Sequence, residues 1–354
     1  LLAQAAPSLG NAPRVVVIDP LIDANTGQQT RSTVRMGELI SYKIRNAYPH
    51  LTPKPLTRAA LAGSPILMIG TLTPINTANA PEGPIDAYRV WLTLIDLKTG
   101  KIVGKALDRA TVDSVDSDPT AYYQDSPTWH KDKTIAAYIN SCQVNSKVGD
   151  YIDPAYLMRL PSAALINEAL LAFDSGNMQD ANQLFRDAST TAESGDLRVW
   201  NGLYLTSWRL GRKDDAQKAF SHVAAAGIAA KKLPLKMLFA PGKAVTLQTG
   251  DLPKQYDLWV REIAVEAASA KSCLRVSGHT TRTGAAAANE ALSLARASFV
   301  QQRMETLAPQ LKGMVSAVGV GAKENLVGIA TDDARDILDR RVEFGVVDCK
   351  SSGA

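Results

Sequence analysis

The chain has 354 residues, more than one hydrophobic core ordinarily holds, so two or three domains are expected. Its 45% apolar content is that of a globular protein, and no apolar run approaches the roughly 18 residues of a membrane span. A net charge of +4 spread over scattered Lys and Arg, with only 6% aromatic residues, excludes a nucleic-acid platform. The first residue is Leu1, and Leu1–Ala6 reads as the stub of a secretory signal or a linker after a removed lipid anchor.

Taken in order, residues 1–12 read as a tail and 13–133 as an α/β domain. Arg14–Asp19 is a short β-branched run, hence a buried strand. Ser32 is the expected cap of a helix whose apolar positions are Val34, Leu39, Ile40 and Ile44. Ile66–Thr71 is a strand ending near Pro74. Tyr88–Asp96 and Lys101–Lys105 flank a Lys98-Thr99-Gly100 turn and form a hairpin. Together these predict a small mixed sheet with a helix on one face. The Ile69-Gly70-Thr71-Leu72 run, followed by Tyr88 to Val103, is similar to a periplasmic lipoprotein module seen in the curli secretion lipoprotein and in activators of penicillin-binding proteins. That resemblance implies a protein-binding domain.

Residues 109–160 read as irregular, with 134–160 a linker. Asp113, Asp116 and Asp118 alternate, but an EF-hand would need Gly at the sixth position and Glu at the twelfth, so a solvated loop is expected. Trp129 and His130 are expected to carry no function. Over 161–232 a repeat appears. Gly176, Ala181 and Phe185 recur as Gly211, Ala216 and Phe220, with Ala188 in the first unit and Trp200, Leu203 and Tyr204 in the second. The spacing, about 34–35 residues, resembles that of tetratricopeptide repeats. A generic helical hairpin is the plainer alternative.

Residues 233–350 carry the strongest pattern, ahead of a 351–354 tail. Strands are expected at Leu235–Phe239, Leu274–Ser277, Ser316–Val320 and Arg341–Val347, and helices at Leu258–Ala270 and Asn289–Leu307. Leu258, Ile263, Val265 and Ala267 are the expected apolar face of the first helix. Gly278-His279-Thr280-Thr281-Arg282-Thr283-Gly284 precedes Asn289, Leu292, Ser293, Arg296 and Ala297, and Asp339-Arg340-Arg341-Val342-Glu343 closes the series. This resembles the OmpA-like domain, an α/β sandwich that grips peptidoglycan. The chain as a whole is thus expected to be a multidomain α/β plus α protein.

The resemblance implies recognition of the diaminopimelate arm of the stem peptide. Arg296 stands where the family places the Arg that holds the ligand carboxylate, in a fork that Lys cannot reproduce. Thr281 stands where the family has the Asp that accepts from the ammonium. Losing that charged acceptor removes roughly 1.5–3 kcal/mol. Glu290, Glu324 and Asp332 are candidate stand-ins, and a degenerate site is the alternative. Asn289 either contacts the ligand or braces the turn. Gly278 and Gly284 serve backbone geometry, His279 packing, and Arg340 and Arg341 an ion-pair cluster with Asp336 and Asp339. The family's sheet also makes the strands after Cys273 and before Cys349 antiparallel neighbours, implying a Cys273–Cys349 disulfide, with free buried thiols as the alternative. Cys142 is left without an assigned partner.

No G-x-S-x-G, H-E-x-x-H, P-loop or zinc spacing is present, and Gly319-Val320-Gly321 is not a nucleotide fingerprint. No catalytic residue, metal or cofactor is expected. The implied protein is a non-catalytic adaptor of the Gram-negative periplasm, with peptidoglycan and envelope proteins as partners and outer-membrane association through the removed anchor. A wall-synthase regulator or secretion component with a degenerate wall site is the alternative.

Overall fold

The computed structural model describes residues 1–76, 86–128, 133–143, 146–191, 196–328, 330, 332 and 334–349. The chain divides into two compact units, Leu1–Asp125 with His130–Asp196, and Ser126–Trp129 with Leu197–Ala354. Trp129 and His130 lie outside the described residues. Among the described residues, no helix is long and apolar enough to cross a membrane, and no group of three His, Cys, Asp or Glu is placed to hold a metal.

The first unit runs α1 (Leu2–Leu9), β1 (Arg14–Ile18), β2 (Ile22–Asp23), α2 (Arg31–Ala47), β3 (Leu51–Pro55), α3 (Arg58–Leu61) and β4 (Ile66–Ile75). It continues with β5 (Ala87–Asp96), β6 (Lys101–Thr111), α4 (Ala121–Asp125), α5 (Lys133–Cys142), α6 (Pro154–Asp174) and α7 (Met178–Thr191). The sheet order is β3-β1-β4-β5-β6, with β2 also on β4. β1 is parallel to β3 and β4, whereas β5 and β6 form an antiparallel extension.

Both faces of this sheet are covered, not one. Val16, Ile18, Ile66 and Met68 pack with Ala5 and Leu9 of α1 and Ile44 of α2. Val17, Leu67, Ile69 and Ile95 pack on the other face with Ile135, Tyr138 and Ile139 of α5 and Tyr156 and Leu160 of α6. The physical reason lies in Val15–Ile18 of β1 and Ile66–Ile69 of β4, where consecutive residues are all apolar. Neither face can then be left to water. The segment expected to be irregular is therefore largely ordered: β6 reaches Thr111, α5 lies on the sheet, and Asp153 caps α6 through the Ala155 amide at 2.8 Å.

Three local expectations change. Thr30, not Ser32, caps α2: its hydroxyl accepts from the Thr33 amide while Thr33 Oγ1 accepts from the Thr30 amide. Ser32 lies in the first turn and accepts from the Asp116 amide. Val34 and Leu39 are exposed, and Met36 joins Ile40 and Ile44 toward the core. β4 runs through Pro74 to Ile75, because the Met68 and Leu72 carbonyls point toward β1 and β2, so Pro74 in the same phase faces the side that no strand pairs at that height. Asp116 and Asp118 each lie 3.5 Å from the Arg31 guanidinium.

The second unit runs α8 (Leu197–Arg209), α9 (Lys213–Ala229), β7 (Lys232–Leu238), α10 (Leu252–Ser269), β8 (Cys273–His279), α11 (Ala286–Leu307), β9 (Val315–Gly321) and β10 (Arg341–Val347). The order is β7-β10-β8-β9; β8 and β9 are parallel and the other pairs antiparallel. α10 starts earlier than expected and buries Tyr256, Trp259, Val260 and Ile263. Trp259 stacks on Phe220 at 5.7 Å, whereas Val265 is exposed.

The helical hairpins α6–α7 and α8–α9 turn alike. Gly176 and Gly211 have φ of 80° and 76°, and the next amides reach back to the Ala172 and Ser207 carbonyls. Ala181, Phe185, Ala216 and Phe220 are fully buried. One hairpin belongs to each unit.

Candidate functional site

β8 delivers the site from its carboxyl end. Gly278 lets α11 approach, since a Cβ there would stand 2.0 Å from the Ser293 carbonyl oxygen. Gly319 on β9 does the same against the Glu290 carbonyl at 2.5 Å. Ser293 Oγ then accepts from the Gly321 amide at 2.9 Å, fastening α11 to the end of β9. The turn that follows β8 closes at Gly284, with φ of 89°, a conformation that L side chains rarely adopt. Asn289, in the first turn of α11, donates to the Thr283 carbonyl at 2.9 Å. It braces the turn from inside.

Thr281 is buried at the base of the turn. Its hydroxyl lies 2.6 Å from Thr283 Oγ1 and donates to Asp332 Oδ1 at 3.1 Å. Of the three acids considered as stand-ins, Asp332 is thus the one brought to Thr281. Its side chain is 33% exposed, and it also accepts from Arg340 Nη1 at 3.0 Å. Glu290 instead faces Lys323 at 3.2 Å across the surface.

Arg296 is not open to a ligand in this structure. It is 0% exposed, and its guanidinium donates to three backbone carbonyls: His279 at 2.8 Å, Ala240 at 3.0 Å and Lys243 at 3.0 Å. The Phe239 ring lies 5.3 Å from its central carbon. Burial among neutral acceptors pushes its pKa down to about 10; Arg340 acts in the same direction and Asp332 opposes. The expectation of an accessible guanidinium is therefore corrected. A long side chain near the middle of α11 reaches past the ends of β7 and β8, where the carbonyls of Ala240, Lys243 and His279 converge. It ties the loop at 240–243 to β8.

The closing motif divides its labour. Arg340 is an ion-pair centre, with Asp332 at 3.0 Å and buried Asp336 at 3.3 Å. Arg341 pairs with Glu343 at 2.7 Å. Asp339 accepts from the amides of Leu326, Val327 and Gly328 at 2.6, 3.0 and 2.8 Å. Burial nonetheless raises its pKa. His279 is buried, in keeping with packing.

Two residues of this site were not singled out in the sequence. Arg282, half-buried, sets its Nε on Asn325 Oδ1 at 3.2 Å, and Asn325 in turn donates to the Thr280 carbonyl at 2.9 Å. Arg282 was legible as the one cation inside the Gly-rich turn; Asn325 carried no local signal. Cys273 and Cys349 are bonded, with Cα atoms 5.1 Å apart across a loop of 76 residues, and Cys142 is free and buried.

No family model matches the chain, and no curated protein matches it. Among solved structures, the peptidoglycan-associated lipoprotein from Burkholderia pseudomallei aligns at 19% identity over 34% of this chain and 91% of that one, with a TM-score of 0.27. The periplasmic domain of MotB aligns at 19% identity over 33% of this chain and 62% of that one, with a TM-score of 0.25. At these scores neither likeness supports assigning a site or an activity.

Proposed function

We propose that this protein is a non-catalytic adaptor of the Gram-negative periplasm, with an OmpA-like second unit that associates with peptidoglycan. The first unit and the tetratricopeptide-like hairpins engage envelope proteins, and the protein works in association with the outer membrane. The observation that carries the wall-binding reading is the Asp332 carboxylate hydrogen-bonded to Thr281. It restores an anion beside the position where the family Asp is replaced.

A diaminopimelate end group carries an ammonium and a carboxylate. Asp332, one-third exposed, accepts from the ammonium. Arg282, the half-buried cation of the same turn, receives the carboxylate, the role that Arg296 was expected to fill. Thr281, Asn289 and Arg296 hold the turn and its neighbours in place. The test is retention on purified sacculi. Asp332→Asn and Arg282→Ala each lower retention about tenfold, since each removes a charge-assisted hydrogen bond. Full retention in both variants refutes this assignment.

One observation favours a second reading. The complete enclosure of Arg296 fits a protein-interaction scaffold whose wall site is degenerate. Absence of wild-type retention at low salt selects that reading.

A further inference from the structure

The sheet of the first unit has two edges, and they are treated differently. On β3, the bonds of Arg14 to His50 and of Leu56 to Ile18 mean that Thr52 and Lys54 face β1, leaving Pro53 and Pro55 to face outward without an N–H. That edge cannot donate at either position. On β6, the first half is occupied. Ile102 exchanges hydrogen bonds with Gly149 and Asp150, and the Lys105 amide donates to Gln4 Oε1 at 3.0 Å.

Beyond Lys105 no strand of the described residues pairs with this edge. Leu107, Arg109 and Thr111 share the outward phase of Lys105. Among the described residues, the Leu107 amide and carbonyl take no partner outside the sheet. The Arg109 amide is held only by the carboxylate of its own neighbour Asp108, at 2.8 Å. Leu107 is 53% exposed although apolar. Leu107 and Arg109 stand directly across from Trp91 and Arg89. Two arginines therefore face one another on adjacent strands, an unfavourable pairing. Neither has a carboxylate within salt-bridge distance among the described residues.

A second copy is a poor occupant. Antiparallel pairing about a two-fold axis at Arg109, Asp108 or Leu107, in the middle of the free stretch, sets Arg109 against Arg109, Asp108 against Asp108, or Arg109 against Lys105. Each register opposes like charges. An extended segment with carboxylates on the arginine face has no such conflict.

We propose that Ala106–Thr111 accepts an added β-strand from a protein partner: an extended acidic peptide segment alternating apolar and carboxylate residues. Its main chain pairs with Leu107 and Arg109, an apolar side chain lies beside Leu107 and Trp91, and a carboxylate lies between Arg89 and Arg109. This rests on the reading of the first unit as protein-binding, and not on the wall site, which the sacculus assay tests separately.

The experiment uses the full chain and a fluorescein-labelled peptide alternating valine and glutamate, followed by anisotropy. Saturable binding is expected. Arg109→Glu weakens it about fivefold. Leu107→Pro, which removes the outward donor together with the apolar side chain, weakens it about threefold to tenfold. On the unaltered chain, methylating alternate peptide amides abolishes binding when they face β6, and exchanging glutamate for lysine abolishes it as well. Absence of saturable binding, equal binding of the methylated peptide, or equal binding of the lysine peptide overturns the proposal. So does concentration-dependent self-association in sedimentation that Leu107→Pro removes, because it assigns the edge to a second copy.

Discussion

The two sheets of this protein solve the same burial problem in opposite ways. The first is apolar on both faces and carries helices on both, so its polar opportunities are confined to its edges. The second packs its helices on the face of Leu274, Val276, Val342 and Phe344, and keeps Arg275, Ser277, Val318 and Glu343 on the other. Its polar chemistry gathers where strands end and loops converge. A sheet closed on both sides offers backbone; a sheet closed on one side offers side chains. That difference separates the strand-addition site proposed for the first unit from the charged turn of the second.

The comparison breaks most severely at Arg340. Truncating it to Ala removes the Arg340 guanidinium from buried Asp336, and should cost about 3–5 kcal/mol in chemical denaturation. A loss under about 1 kcal/mol means that the charged cluster does not hold the second unit together. Next is Gly278→Ala. A methyl group 2.0 Å from a backbone carbonyl forces α11 away from β8, at a cost of about 3 kcal/mol. If thermal unfolding is unchanged, α11 is not seated as described.

The smallest expected effect sharpens the contrast through pH. In the first unit Asp96 receives two hydrogen bonds from Arg14, at 2.8 and 3.1 Å, and that hydrogen-bonded pairing holds its carboxyl below the ordinary 3.8. Its contribution is present above 3.8 and disappears as pH falls through the folded value. In the second unit burial raises Asp339, so its contribution runs the other way: it is full below 3.8 and lost as pH rises through the folded value. Asp96→Asn should therefore reduce the loss of stability between pH 4 and 2 (a range set by that ordinary value). Asp339→Asn should not reduce it. Identical acid profiles for the two variants would contradict the opposite shifts.

Much of the second unit was legible because its signals are local. The order of strand, Gly turn, helix and strand follows from runs of β-branched residues and from helical spacing, and Gly284 does adopt the left-handed conformation that such a turn requires. The glycines at 176 and 211 end their helices for the same reason. The disulfide followed from a resemblance and is present. Less legible was α2, where the apolar positions Val34 and Leu39 point to solvent and the cap is one turn-forming threonine earlier. Nor was the order in 133–160 visible, since α5 is held by contacts with a sheet formed far away in sequence.

The amino-acid order alone determined the strands, Gly turns and long helices whose signals are local, because steric limits on the backbone and the periodicity of apolar residues act over a few neighbours. Only the tertiary structure decided that Arg296 spends its guanidinium on three carbonyls, that Asp332 rather than Glu290 meets Thr281, and that no strand of the described residues pairs with the outer half of β6. Each of these depends on groups dozens of residues apart, whose hydrogen bonds exist only once the chain has brought their partners within about 3 Å.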